Sequence, residues 1–108
     1  MKYLALIFFT TICFQVSAAT HLHSQDTGVI SRVFVNPEGA IAVQLKQGFP
    51  KAKSDNQCPE NNGWAGLRMA DNAIKSAILA AKTANLPVTI TIEGCEGPWL
   101  KIKDIYLN

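Results

Sequence analysis

Asp71-Asn72-Ala73-Ile74-Lys75-Ser76-Ala77-Ile78-Leu79-Ala80-Ala81-Lys82-Thr83-Ala84-Asn85-Leu86-Pro87-Val88-Thr89-Ile90-Thr91-Ile92-Glu93 decides the fold, because its hydrophobic period changes once, at Leu86-Pro87. Before that point Ile74, Ile78 and Ala81 recur at helical spacing, with Lys75, Ser76, Lys82 and Thr83 across from them. Asp71 supplies an N-cap, since its carboxylate can accept from the free N–H groups of a first turn. Pro87 ends the helix by restricting the backbone of Leu86. Beyond it Val88, Ile90 and Ile92 alternate with Thr89, Thr91 and Glu93, the period of a half-buried strand. A helix over 71–85 feeding a strand over 88–93 is therefore expected. Ala73, Ala77, Ala80 and Ala84 form a strip of small residues beside the apolar stripe. Such a strip permits close backbone approach, either to the helix's own domain or to the same helix of a neighbouring subunit.

Working outward, Gly94-Cys95-Glu96-Gly97-Pro98 reads as a turn and Trp99 to Leu107 as the last strand. Leu100 and Ile102 share one phase of that strand, Ile105 and Leu107 the other, so one extra residue at Lys103-Asp104 is expected as a β-bulge. On the N-terminal side, Trp64 to Met69 reads as a strand that turns Ala65, Leu67 and Met69 inward. Gly28 to Val35 and Ala40 to Leu45 make a hairpin, the second strand facing inward with Ile41, Val43 and Leu45. Asn36-Pro37-Glu38-Gly39 joins them as a type I turn, with Pro presetting φ and Gly tolerating the left-handed exit. Lys46 to Gly63, about eighteen residues rich in Lys, Gly, Pro, Asn and Gln, reads as a loop of a length uncommon in compact domains and usually functional or disordered. Cys58 lies within it.

The N-terminus reads as a secretory signal peptide over 1–18. Lys2 is followed by an apolar run from Tyr3 to Phe14 and then by the small residues Ala18 and Ala19, too short a run for a membrane span. Cleavage after Ala18 or after Ala19 both satisfy the small-residue rule. Ile12 occupies a position where a lipoprotein signal requires a small residue, so Cys13 leaves with the leader. Residues 19–27 then form a flexible polar arm and 28–108 one domain. The expected location is the periplasm or the secreted fraction of a bacterium. Cys58 and Cys95 remain, an even pair in an oxidising compartment, and are expected to form a disulfide. The bond would close a loop of 37 residues (95 − 58), worth about 4 kcal/mol in the chain-entropy treatment. Two buried free thiols are the alternative.

The order strand, strand, strand, helix, strand, strand (β-β-β-α-β-β) within about 80 residues is that of a five-stranded OB-like barrel, mainly β with one helix and one disulfide. Three stretches carry a resemblance to known proteins: Gly28-Val29-Ile30-Ser31, the helix from Asp71 to Asn85, and Pro87-Val88-Thr89-Ile90-Thr91-Ile92. Through them the chain resembles small exported bacterial proteins that share the fold of AB-type toxin B subunits, with the subtilase cytotoxin B subunit as the nearest likeness. The resemblance covers nearly the whole mature chain. It implies a pentameric ring with helices lining its centre and glycan binding on an exposed face. It carries no sugar-site motif over residue by residue, so glycan binding follows from the fold alone.

Catalysis lacks parts. His21 and His23 sit in the arm, where no rigid scaffold orients a nucleophile against them. Glu93 and Glu96 flank Cys95 as the only carboxylate pair of interest, and two acids near a hairpin are usually solvated. No Gly-rich phosphate loop and no Cys/His metal spacing appears. Loss of Lys2 takes the basic residues from 10 to 9 (10 − 1) against 8 acidic ones, too even a balance for electrostatic capture of nucleic acid. No enzyme activity, cofactor, nucleic-acid partner or membrane span is expected. One metal site is conditional. Cleavage after Ala18 leaves Ala19-Thr20-His21 at the N-terminus, whose amine, amides and imidazole suit square-planar Cu(II) or Ni(II), with His23 assisting.

Function is therefore expected to be binding. Trp64, Trp99 and Tyr106 offer flat faces for a sugar or peptide, and Lys46, Lys51 and Lys53 form a basic loop face beside them. The competing reading has the tryptophans plugging the barrel ends beneath the long loop. The leading function is a toxin-B-like or lectin-like module recognising a glycan or protein surface, with homo-oligomers included. A periplasmic inhibitor or immunity protein, blocking a partner stoichiometrically, is the alternative.

Overall fold

The computed structural model describes residues 22–108. The expected signal peptide, both expected cleavage positions, Cys13 and His21 lie outside them. The described residues form β1 (Ser24–Val35), β2 (Ile41–Leu45), α1 (Pro50–Ser54), β3 (Ala65–Leu67), α2 (Asn72–Ala84), β4 (Pro87–Glu96) and β5 (Trp99–Leu107). The strands close into an OB-like ring in the order β1-β2-β3-β5-β4. All pairs are antiparallel except β3 with β5. Ile30, Ile41, Val43, Ala65, Val88, Ile90, Ile92, Leu100 and Ile102 fill the interior. From α2, Ile78 and Ala81 join them, and from α1, Ala52. The disulfide Cys58–Cys95 is formed, with Cα atoms 5.1 Å apart.

The stretch that decides the fold behaves as its period demands. Asp71 accepts from the Ala73 amide at 2.8 Å as the N-cap of α2, and Asn85 closes the helix in the left-handed conformation. Ala73, Ala80 and Ala84 face solvent and Ala77 is only half-buried, so the alanine strip does not dock on its own barrel. The hairpin turn also forms as expected. The Gly39 amide donates to the Asn36 carbonyl at 3.2 Å, and the Asn36 side chain accepts from the Glu38 and Ala40 amides. The bulge in β5 is present: Thr91 pairs with Asp104 and Ile92 with Ile102, leaving Lys103 over.

Several expectations are corrected. The flexible arm over 19–27 is β-strand from Ser24 onward, paired with β4 from Ser24↔Ile92 to Val29↔Pro87. Ser24 and Asp26 occupy its inward positions, where apolar residues would normally stand, and are almost fully buried. They are tolerated because the Asp26 carboxylate accepts from the Lys51 and Ala52 amides at 2.8 and 2.9 Å, and the Ser24 hydroxyl donates to Asp55. There are two helices, not one, because the long loop contains α1. Proline at its first position starts this helix, and Asp26 satisfies its free amides from outside. The third strand stops at Leu67, and Met69 is 85% exposed rather than inward. Beyond Leu67 the backbone leaves the ladder: the Arg68 amide donates to the Glu96 carboxylate and the Ala70 amide to the Gly39 carbonyl. Gly94, Cys95 and Glu96 belong to β4 rather than to a turn, since an irregularity between Ile92 and Cys95, with Gly94 at φ +72°, carries the strand through. Leu107, expected inward, is 43% exposed at the strand end.

Candidate functional site

The outer wall of the ring carries a cluster of aromatic side chains, and it begins with a bulge. Ile30 pairs with Leu45 but Arg32 with Gln44, so Ser31 is the extra residue of β1, its hydroxyl donating to the Gln44 carbonyl. The extra residue inverts the phase, so that Arg32 and Phe34 point out where continued alternation from buried Ile30 would send them in. Phe34 pairs with Ala42 of β2, and Ala42 pairs with Gly66 of β3. Ala42 and Gly66, both buried, form a flat floor of small residues. A side chain at Gly66 would collide with the Ile41 carbonyl oxygen and stand 2.7 Å from the Ala42 Cβ, so the floor requires glycine there.

The rings stand around this floor. Phe34 meets Trp64 edge-on at 6.4 Å between centroids and Trp99 edge-on at 5.9 Å. The Arg32 guanidinium lies 5.0 Å from the centre of Trp64 and donates to the Gln44 side chain at 3.3 Å. Trp64 and Trp99 remain half-buried and Phe34 is 40% exposed. The tryptophans thus pack on Phe34 at the starts of β3 and β5, and neither belongs to the buried core. Their backbones are held firmly: Asn61 donates to the Trp64 and Pro98 carbonyls at 2.9 and 3.0 Å, and the Leu100 amide donates to the Trp64 carbonyl. The result is a rigid aromatic platform with a cation at one edge and amide groups beside it.

The structure divides the other expected binding residues among different places. Tyr106, 52% exposed, lies on the outer face of β5 opposite Thr89, within a shallow polar recess with Gln25 and Asn108. Thr27 and Thr89 share a hydroxyl–hydroxyl hydrogen bond there, and Asn108 donates to Thr89. Lys46 follows β2 and is exposed. Lys51 of α1 pairs with Asp55, the residue that caps the helix C-terminus, at 3.2 Å. Lys53 borders a separate cleft beside α1. All three lysines thus belong to the connection between β2 and β3, and the cleft that Lys53 borders also has Asn61, Gly63 and Leu100 in its wall.

Phe34 and Arg32 are the functional candidates that reading the sequence missed. A signal was present: Arg32 shares its phase with Ile30 and Phe34, and a buried guanidinium inside a small barrel would be costly. That conflict marks the bulge. Among the described residues no three His, Cys, Asp or Glu side chains gather as a metal site requires, and His23 is exposed. Glu93 is exposed, and the Glu96 carboxylate accepts from the Arg68 amide at 3.0 Å. No described helix is long and apolar enough to cross a membrane. Comparison of the chain with protein-family models, curated proteins and solved structures finds no match to any of them.

Proposed function

We propose that the protein is an exported, non-catalytic binding module of the lectin-like or toxin-B-like type, and that it holds a glycan against the platform of Phe34, Trp64 and Trp99. One observation carries this reading. Phe34 stands on the Ala42–Gly66 floor with 40% of its surface in water, braced by two tryptophans and flanked by Arg32. Core burial does not require an aromatic there, and exposed rings held rigidly offer a stacking surface at little entropic cost on binding. Three rings cover the apolar face of a sugar. They fall well short of the roughly 800 Å² per partner of a stable protein–protein interface. Arg32 and Gln44 at the margin supply donors and acceptors for hydroxyl groups. The Cys58–Cys95 disulfide accords with an oxidising compartment and so supports export to the periplasm or beyond.

A glycan array followed by titration of intrinsic tryptophan fluorescence tests the reading. A binding glycan should perturb Trp64 and Trp99 emission, and Phe34→Ala should weaken it about tenfold or more while leaving the circular dichroism unchanged. If no glycan binds and the protein instead captures a protein partner one to one, through a surface that Phe34→Ala does not affect, the inhibitor or immunity role replaces this reading.

A further inference from the structure

The long connection between β2 and β3 is pinned to a degree that merely covering the barrel does not demand. The Asp26 carboxylate holds the start of α1, and the Gln57 side chain accepts from the Gly94 amide at 3.0 Å. Cys58 is bonded to Cys95, and the Asn62 amide donates to the Pro98 carbonyl. Between α1 and the pinned segment that follows it the chain leaves an open cleft of about 630 Å³, within the size range of small-molecule sites. Its apolar lining comes from the exposed Pro50 and Pro59 together with the almost fully covered Phe49, Cys58 and Leu100. Gln47, Asn56 and Lys53 also line it and are exposed. No carboxylate lines the cleft, and Lys53 has no ion-pair partner among the described residues, whereas neighbouring Lys51 is paired with Asp55.

The geometry points to a second binding site in this cleft, for a small molecule with a flat apolar body and a single carboxylate. The apolar lining, chiefly the two proline rings, takes the body, Lys53 takes the charge, and the amides of Gln47 and Asn56 orient it. One unpaired cation matches one negative charge, and the pinned walls mean that little order must be gained on binding. None of the aromatic platform's rings lines the cleft, so this site stands or falls independently of the glycan reading.

The experiment is a titration of the folded, ¹⁵N-labelled protein with phenylacetate, with its neutral amide phenylacetamide and with phenethylammonium, followed by amide chemical shifts. Phenylacetate should shift the signals of Gln47 to Asn56 and of Gly63, with a dissociation constant on the order of millimolar for a fragment of this size. The neutral amide should bind about two- to fivefold more weakly, the worth of one exposed charge contact, and the ammonium more weakly still. Lys53→Gln should reduce phenylacetate to the affinity of the amide while leaving the amide itself unaffected. Asn56→Asp, at a left-handed position that aspartate tolerates, should weaken phenylacetate selectively. Equal binding of acid and amide, shifts confined to residues outside the cleft, or no shift at saturating fragment would each overturn the proposal.

Discussion

At Gly66 a single methyl group has nowhere to go. Its Cβ would press on the Ile41 carbonyl oxygen and approach the Ala42 Cβ to 2.7 Å, with the ladder to β2 on one side and to β5 on the other. Gly66→Ala should therefore destabilise the fold by about 1–3 kcal/mol, the usual cost of overpacking. For a domain of this size that lowers the melting temperature by roughly 5–20 °C, measurable by thermal circular dichroism. An unchanged melting temperature would show that β2 and β3 can separate without loss, and the floor beneath Phe34 would not be rigid. Gly66 reads in the sequence merely as one residue of a short strand. Asp26 is similar. As a letter in the polar run Ser24-Gln25-Asp26-Thr27 it suggests a solvated arm, yet it is buried with both oxygens bonded to the start of α1. Its partners lie 25 and 26 residues away, and no local pattern announces them.

Among the elements, the connection between β2 and β3 depends most on its cross-link. Intact-mass measurement of the mature protein should show two hydrogens fewer than the dithiol form, and quantitative alkylation without reductant would contradict the pairing. Closing a 37-residue loop contributes about 4 kcal/mol by constraining the unfolded chain. Reduction should then lower the melting temperature by roughly 10 °C or more, well beyond a surface substitution. A small effect would mean that Asp26, Gln57 and Asn61 hold the segment without help. α2 presents the opposite case. Its limits, cap and buried stripe were legible because 3.6-residue periodicity and Asp71 are local features. Which neighbour its alanines meet was not, because that depends on how the helix lies on the ring.

For the whole molecule the open question is whether the barrel stands alone. The solvent face of α2 carries Ala73, Ser76, Leu79, Ala80, Thr83 and Ala84, with Leu79 48% exposed and the exposed Lys82 as its charged margin. If copies of this helix meet around a ring, Ala80→Glu brings like charges together and should disperse the assembly, shown by sedimentation. Circular dichroism should stay unchanged, because Ala80 is exposed and glutamate is a good helix former. A wild-type protein that sediments as a monomer at every accessible concentration removes the ring altogether.

What the sequence by itself determined was whatever depends on short-range periodicity and on the chemistry of single residues. That covers the order of the main elements, the Asn36–Gly39 turn, the helix that Asp71 caps, the bulge at Lys103 and the pairing of Cys58 with Cys95. Tertiary structure alone decided what depends on partners distant in the chain. Ser24 and Asp26 became strand because α1 could satisfy them inside the barrel. Met69 left the ladder because Arg68 and Ala70 found hydrogen bonds elsewhere. Phe34 joined two tryptophans because the bulge at Ser31 turned it outward over a floor made of two other strands. The physical reason is the same each time: alternation and helical period report which side of an element is apolar, whereas a binding surface is assembled by the closure of the ring.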